Sequence, residues 1–254
     1  SMTKLIVFCF FTLYFGYAAP SWAIEEEYAV FGDGDGVIYA MPADGNLRWF
    51  MHNGRMTGEV SWANGGIPKN VGTGWAGSNT KVFSGGDGVI YAIRPNGDLY
   101  WYRHNGRFTG VFDWANGGNG VKVASGWQNF VHVFSSGNGV IYALEPNGDL
   151  RWYRHDGRLD GSNNWASNSQ VVVGSGWDKY QRVFASGDGV IYAIDFSGNL
   201  IWYRHDGRLT GTVNWFNNLG TKVGTGWQNL RQVFSGGDGI IYVVRNNGEL
   251  AWYR

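Results

Sequence analysis

Residues 82–107, VFSGGDGVIYAIRPNGDLYWYRHNGR, decide the fold, because the chain repeats this stretch with small variations five times. The copies begin at Val30, Val82, Val133, Val183 and Val233, and the string G-[VI]-I-Y follows at Gly36, Gly88, Gly139, Gly189 and Gly239. Successive copies therefore stand 52, 51, 50 and 50 residues apart. Self-similarity at such a period marks a repeat architecture before any local element is assigned.

Within one copy the β-branched and aromatic residues fall into short runs bounded by Gly, Asn, Asp and Pro, which is the pattern of strands joined by tight turns. In the second copy, Phe83 ends one strand and residues 89–93 form the next. Residues 99–104 form a third and residues 121–123 a short fourth. No segment carries capped helical periodicity, so no helix is expected. Each unit reads as a four-stranded antiparallel meander, which cannot bury both of its faces alone. Stacking five meanders predicts an all-β, five-bladed β-propeller of four-stranded antiparallel blades. Slots compared between copies place Leu47, Leu99, Leu150, Leu200 and Leu250 on one face with Trp49, Trp101, Trp152, Trp202 and Trp252. Phe50, Tyr102, Tyr153, Tyr203 and Tyr253 hold the other face. The variable slot of Arg48, Tyr100, Arg151, Ile201 and Ala251 is expected to face solvent. The last copy stops at Arg254, leaving open a three-stranded blade, a strand borrowed from the N-terminus, or a chain cut short.

Residues 1–23 read as an export signal, with Lys4, an apolar run over residues 5–19, and small residues at Ser21 and Ala23. The run is too short to span a bilayer, which takes about 20 apolar residues. The remaining residues 24–254 are expected to form one propeller domain, secreted or periplasmic, with no membrane insertion once the signal is removed. Cys9 is the sole cysteine, so the exported chain has no disulfide framework, thiolate nucleophile or cysteine metal site. Net charge is zero, with 20 basic and 20 acidic residues and no basic cluster, which argues against nucleic acid as partner.

Tryptophan usage carries the functional signal. Apart from Trp22, all of the 14 tryptophans fall into three repeat slots. One is the strand slot above. The second is the loop slot Trp62, Trp114, Trp165 and Trp215, flanked by polar residues such as Asn64, Asp113, Asn116, Asn164 and Asn214. The third is the G-W slot Trp75, Trp127, Trp177 and Trp227. An exposed indole offers flat apolar area to the C–H face of a pyranose, and neighbouring Asn, Asp and backbone groups can hold its hydroxyls. The loop and G-W indoles and these polar neighbours are therefore the candidate sugar-binding residues, set against a purely structural role as wedges between blades.

The string V-[GA]-x-G-W-x-x-[FYL]-x-x-V-F followed by G-x-[IL]-Y, read at residues 123–134 with 139–143 and at 223–234 with 239–243, resembles the tachylectin-2 family of five-bladed propeller lectins. The resemblance covers residues 30–254. It implies binding of N-acetylglucosamine and N-acetylgalactosamine, one sugar per blade, in outer pockets between neighbouring blades. It also implies glycan partners on cell surfaces or polysaccharides. The W-Y-R-H third strand, the longer repeats and the unfinished last copy depart from the family pattern.

Other chemistries fit less well. His52, His104, His155 and His205 share one slot, but equivalent positions on separate blades diverge and cannot share one ion. They read as hydrogen-bonding groups, with sugar contact left open. Gly32-Asp33-Gly34-Asp35-Gly36 lacks the ligand offsets of a calcium loop and reads as a tight turn. No metal or other cofactor is expected. An enzyme would need a convergent acid, base or nucleophile, and near-identical copies provide none, so no catalytic residue is assigned. A protein-binding scaffold is the alternative function, and a paired-carboxylate glycosidase the remoter one.

Overall fold

Runs such as Val-Ile-Tyr-Ala-Ile, closed at each end by Gly paired with Asp or Asn, turn every copy into an antiparallel meander. The computed structural model describes residues 6–9 and 29–254. The first strand in the chain is β1 (Ile6–Cys9). Blade 1 comprises β2 (Ala29–Gly34), β3 (Val37–Met41), β4 (Leu47–Met51) and β5 (Lys69–Gly72). Blade 2 comprises β6 (Lys81–Gly86), β7 (Val89–Ile93), β8 (Leu99–Arg103) and β9 (Val121–Ala124). Blade 3 follows with β10 (His132–Gly137), β11 (Val140–Leu144), β12 (Leu150–Arg154) and β13 (Val171–Gly174). Blade 4 has β14 (Tyr180–Gly187), β15 (Val190–Asp195), β16 (Leu200–Arg204) and β17 (Thr221–Gly224). Blade 5 has β18 (Gln232–Gly237), β19 (Ile240–Val244) and β20 (Glu249–Tyr253). All five sheets are antiparallel, four of them in sequence order and the fifth in the order β1-β20-β19-β18, and the fold is the five-bladed β-propeller that the repeats predict.

The last copy supplies three strands of its own blade. The outer edge of β20 is taken by β1, with Ile6 opposite Trp252 and Cys9 opposite Glu249. These four residues belong to the stretch read as an export signal; the rest of that signal lies outside the described residues. Helical structure among the described residues amounts to 3-10 turns of three or four residues, at Ala63–Gly66, Ala115–Gly118, Trp177–Lys179 and Phe216–Asn218.

The first hairpin of each blade turns through Asp-Gly or Asn-Gly. Asn138 and Gly139 have φ of 56° and 79°, the two positive angles of a type I′ turn, whose twist matches that of paired strands. The next strand pair then aligns Tyr with Trp in every blade, from Tyr39 opposite Trp49 to Tyr242 opposite Trp252. Such cross-strand aromatic pairs hold both register and faces. The Leu slot is fully buried, with Leu47, Leu99, Leu150 and Leu200 at 0% exposure. The variable slot departs from the expectation of solvent exposure. Arg48, Tyr100, Arg151 and Ile201 are half-buried and Ala251 is buried, because a further strand lies beside each of them.

The described chain divides into two compact units. One unit holds blades 1 and 5 with the loop Gly106–Asp113. Its core joins Val30, Ile38 and Phe50 to Phe234, Tyr242 and Trp252. Within it the guanidinium of Arg107, 6% exposed, bonds the Asp33 carboxylate at 2.5 Å and the Asp33 carbonyl at 3.0 Å. The other unit holds blades 3 and 4 and most of blade 2, with inner strand β10 packed between β6 and β14. In both units a loop arginine reaches the hairpin-turn aspartate of the preceding blade: Arg55 to Asp238 at 2.7 Å and Arg158 to Asp87 at 3.0 Å. Arg208 instead pairs with Asp188 of its own blade at 3.5 Å, because blade 3 carries the neutral Asn138 in that slot.

Candidate functional site

The loop between the third and fourth strands begins with a buried histidine that fixes everything after it. His155 Nε2 lies 2.8 Å from the Ser162 carbonyl and Nδ1 lies 2.7 Å from the Tyr91 hydroxyl of the preceding blade. A carbonyl can only accept, so Nε2 carries the proton and Nδ1 accepts from the tyrosine. His205 repeats the arrangement with Thr212 and Tyr142, and His52 with Glu59 and Tyr242. Burial lowers the pKa of all three imidazoles and favours this neutral form. With exposures of 0–4%, these histidines are inaccessible to sugar and serve to join blades.

Each loop indole stacks on its histidine. The ring centroids are 4.5 Å apart for His52 and Trp62, 4.7 Å for His104 and Trp114, 4.6 Å for His155 and Trp165, and 4.5 Å for His205 and Trp215. The indole N–H is also occupied where its bond is seen. Trp165 donates to the Val123 carbonyl at 3.0 Å and Trp215 to the Val173 carbonyl at 2.8 Å, both on the outer strand of the preceding blade. Trp62, Trp165 and Trp215 are half-buried and Trp114 is buried. The polar flanks Asn64, Asp113, Asn116, Asn164 and Asn214 are exposed. Two of them hold turns: Asn64 and Asn116 sit at φ 54° and donate to the carbonyls of Ile67 and Asn119.

The G-W indoles lie deeper, with Trp75, Trp127, Trp177 and Trp227 only 4–7% exposed. Their backbone N–H groups bond the turn carbonyls of Gly45, Gly97, Gly148 and Gly198 at 2.8–3.0 Å. Trp127 packs against Tyr153 at 4.5 Å, Phe130 at 5.3 Å and Trp165 at 6.2 Å. Trp177 does the same with Tyr203 at 4.5 Å, Tyr180 at 5.4 Å and Trp215 at 5.8 Å. The structure thus brings Trp127 with Trp165, and Trp177 with Trp215, together as an aromatic wall between consecutive blades. The faces of Trp127 and Trp177 are covered by these rings, which agrees with the core role weighed for the G-W slot.

What opens to solvent beside that wall is a cleft of about 400 Å³. One side is the segment after β9, with Gly126, Asn129 and Phe130; the other is the β11–β12 turn, with Glu145, Pro146 and Asn147. Sequence reasoning passed over these residues. Phe130 occupies the [FYL] slot of the repeat motif, and Glu145-Pro146-Asn147 reads as an ordinary turn until folding sets it opposite. The volume falls toward the small end of the range of ~300–1,000 Å³ usual for small-ligand sites. Phe130 and Pro146 give the cleft an apolar side. Glu145, which lines the cleft, accepts from Arg151 Nε at 2.5 Å, an ion pair that raises the arginine pKa. Asn147 is braced by Asp149, receiving its backbone N–H at 3.0 Å. The corresponding positions in blade 4 are Lys179, Tyr180 and Asp195, so the residues that line this cleft are not repeated there.

Among the described residues no group of three or more His, Cys, Asp or Glu side chains could hold a metal ion, and no helix is long and apolar enough to cross a membrane. No curated protein matches the sequence. A solved chain from work on the de novo evolutionary emergence of a symmetrical protein is 20% identical with a TM-score of 0.53, and the match covers 82% of each chain. Prp20p from Saccharomyces cerevisiae is 14% identical with a TM-score of 0.42, over 91% of this chain and 57% of that one. Human WBSCR16 is 13% identical with a TM-score of 0.40, over 87% and 56%. The sequence profile of the Tachylectin family matches residues 21–157 and, overlapping them, residues 108–254. By that match across nearly its whole length, the chain belongs to the Tachylectin family, a family of lectins.

Proposed function

We propose that this protein is a multivalent lectin that takes one acetamido sugar, of the N-acetylglucosamine or N-acetylgalactosamine type, in each adequate cleft between blades. The observation that carries the reading is the open cleft between Phe130 and the Glu145–Pro146–Asn147 turn. Its apolar side suits the C–H face of a pyranose, and its carboxylate and amides suit the hydroxyls and acetamide. In this reading the indoles of Trp62, Trp114, Trp165 and Trp215, with Trp75, Trp127, Trp177 and Trp227, shape the clefts from behind. Asn64, Asp113, Asn116, Asn164 and Asn214 contribute from the loops. The ligands are glycans on cell surfaces or polysaccharides, met after export, and no catalytic step is involved.

The decisive experiment is titration of N-acetylglucosamine into the wild-type chain and into Phe130→Ala, by calorimetry and in sugar-soaked crystals. About 50 Å² of apolar contact at ~25 cal/mol per Å² is worth roughly 1.3 kcal/mol. The site beside blade 3 should therefore weaken by about tenfold while the others persist. Sugar density absent from every cleft between blades, or an unchanged isotherm in Phe130→Ala, would remove the assignment.

A further inference from the structure

Arg55, Arg107, Arg158 and Arg208 hold one repeat position, and a strand tryptophan of the preceding blade fixes the carbonyl of each with its indole N–H at 2.7–2.8 Å. The slot that each guanidinium enters is therefore set by the first hairpin of that blade. Arg107 shows the slot filled, since its Nε donates to the Asp33 carboxylate at 2.5 Å. Asp33 is the bulged residue of β2, between the pairs Gly32–Ile38 and Gly34–Val37. Ser136 is the bulged residue of β10 in the same register, between Ser135–Ile141 and Gly137–Val140. Its side chain thus leaves the strand toward Arg208 as that of Asp33 does toward Arg107. Burial raises the pKa of the Tyr142 phenol, while the Ser136 hydroxyl and the Arg208 charge both pull it down, so the two groups flank one ring.

A serine oxygen stands one bond nearer the backbone than the carboxylate oxygens of aspartate, and falls short of an arginine placed for aspartate. Ser136 Oγ and Arg208 Nε are accordingly both buried with no hydrogen-bond partner, and Ser136 is only 4% exposed. Blade 3 also carries Asn138 where the other four copies have aspartate. The carboxylate that Arg208 does meet, Asp188, is 90% exposed and 3.5 Å from Nη2, which leaves Nε unmet. Buried donors and hydroxyls are rarely left in that state. The backbone leaves room beside Ser136. A Cβ at Gly137 would meet open space, and one at Gly187 nothing nearer than the Ser136 carbonyl at 3.9 Å. The side chain of Arg208 is 26% exposed and Asn138 is exposed, so the slot adjoins solvent. We propose that Ser136, Asn138 and Arg208 form a binding site for one small carboxylate, which takes the place that Asp33 fills beside Arg107. One carboxylate oxygen accepts from Arg208 Nε, the Ser136 hydroxyl donates to the pair, and the Asn138 amide closes the mouth. The inference does not depend on sugar binding in the clefts. The carboxylate comes either as a free ion or as the acid group of a sugar.

The test is titration of acetate into the full chain at pH 7 by calorimetry, with the Arg208 Nε–H followed by NMR. The expected result is one saturable event per chain that shifts the Arg208 Nε–H resonance. Arg208→Gln should weaken binding by about tenfold or more, the worth of one charge-assisted hydrogen bond. Ser136→Asp supplies the carboxylate from within, so it should abolish acetate binding and raise the urea midpoint. Glucuronate binding more tightly than both acetate and glucose identifies the sugar acid as the source; affinity no greater than that of acetate identifies the free ion. Absence of saturable binding, an Arg208 Nε–H resonance that stays in place, or acetate affinity unchanged in Ser136→Asp overturns the site. Should Ser136→Asp fail to fold, Asn138→Asp keeps the question open to measurement, because aspartate already holds this turn at φ of 51–56° in the other four copies. Its carboxylate competes for Arg208, so acetate should bind more weakly, and unchanged affinity overturns the site equally.

Discussion

At the scale of single residues, the buried histidines bind the blades together more than any sugar could use them. His205 receives the Tyr142 hydroxyl and donates to the Thr212 carbonyl, and its ring stacks on Trp215. Removing the ring strands the buried Tyr142 hydroxyl and the part-buried Thr212 carbonyl, at ~1–3 kcal/mol for a buried group, and also loses the stacking on Trp215, so His205→Ala should destabilise the folded state by about 3 kcal/mol. A shift in the urea midpoint of less than a third of that would show that water replaces the imidazole. The pH dependence follows from the same geometry. The folded pKa values of His52, His155 and His205 lie below the unfolded value of 6.5. The unfolded chain therefore binds more protons in acid. Stability from these groups is complete above about pH 6.5 and declines as pH falls below it. Melting temperatures that stay flat from pH 7 to pH 5 would contradict the neutral, doubly bonded state. Long-range nitrogen NMR should also find the proton on Nε2 in all three rings.

At the scale of elements, the loop after the third strand is shaped by its approach to the neighbouring strand. Trp101 donates to the Arg158 carbonyl at 2.7 Å, and a Cβ at Gly161 would come within 2.5 Å of the Trp101 ring. Gly176 has a similar positive φ of 73°, yet a Cβ there would meet open space. Both alanine substitutions incur the ~1–2 kcal/mol left-handed penalty, but only Gly161→Ala adds ~1–3 kcal/mol of overpacking. Gly161→Ala should thus lose at least twice the stability of Gly176→Ala in paired urea titrations, and equal losses would mean the loop simply shifts. This contrast also marks how far the sequence could be read. Period, turn chemistry and alternation made the meanders and the buried Leu and Trp slots legible, because each is a local pattern repeated five times. The site was legible only by region. Burial of the G-W indoles depends on Tyr153 and Phe130 arriving from other strands, and the cleft needs the turn at Glu145 set opposite Phe130. Neither juxtaposition leaves a mark at short range. The occupant of the outer edge of β20 was likewise one of three alternatives until β1 was seen paired there.

At the scale of the whole molecule, repetition and neutrality act together. Under the proposed lectin function, zero net charge gives no long-range pull toward a neutral glycan, so affinity must come from short-range contacts in the clefts. A single open cleft holding one sugar is weak, while several clefts on one chain raise the effective concentration at a sugar-dense surface. Linked sites commonly gain ~10²–10⁴-fold over one site. The gain should be smaller here than for five identical sites, because the cleft residues drift between copies: Phe130 and Glu145, then Tyr180 and Asp195, then Leu230 and Arg245. Retention on immobilised N-acetylglucosamine should therefore exceed monovalent affinity by about 10²-fold. Phe130→Ala should cut that retention by more than it cuts any single-site constant, since losing one site removes a multiplicative factor. Because exposed charges more than ~10 Å apart are screened at ordinary salt, raising salt should leave this binding within about twofold. A loss of affinity steeper than about tenfold over that salt range would mean that charge carries part of the binding, and the short-range account would fall.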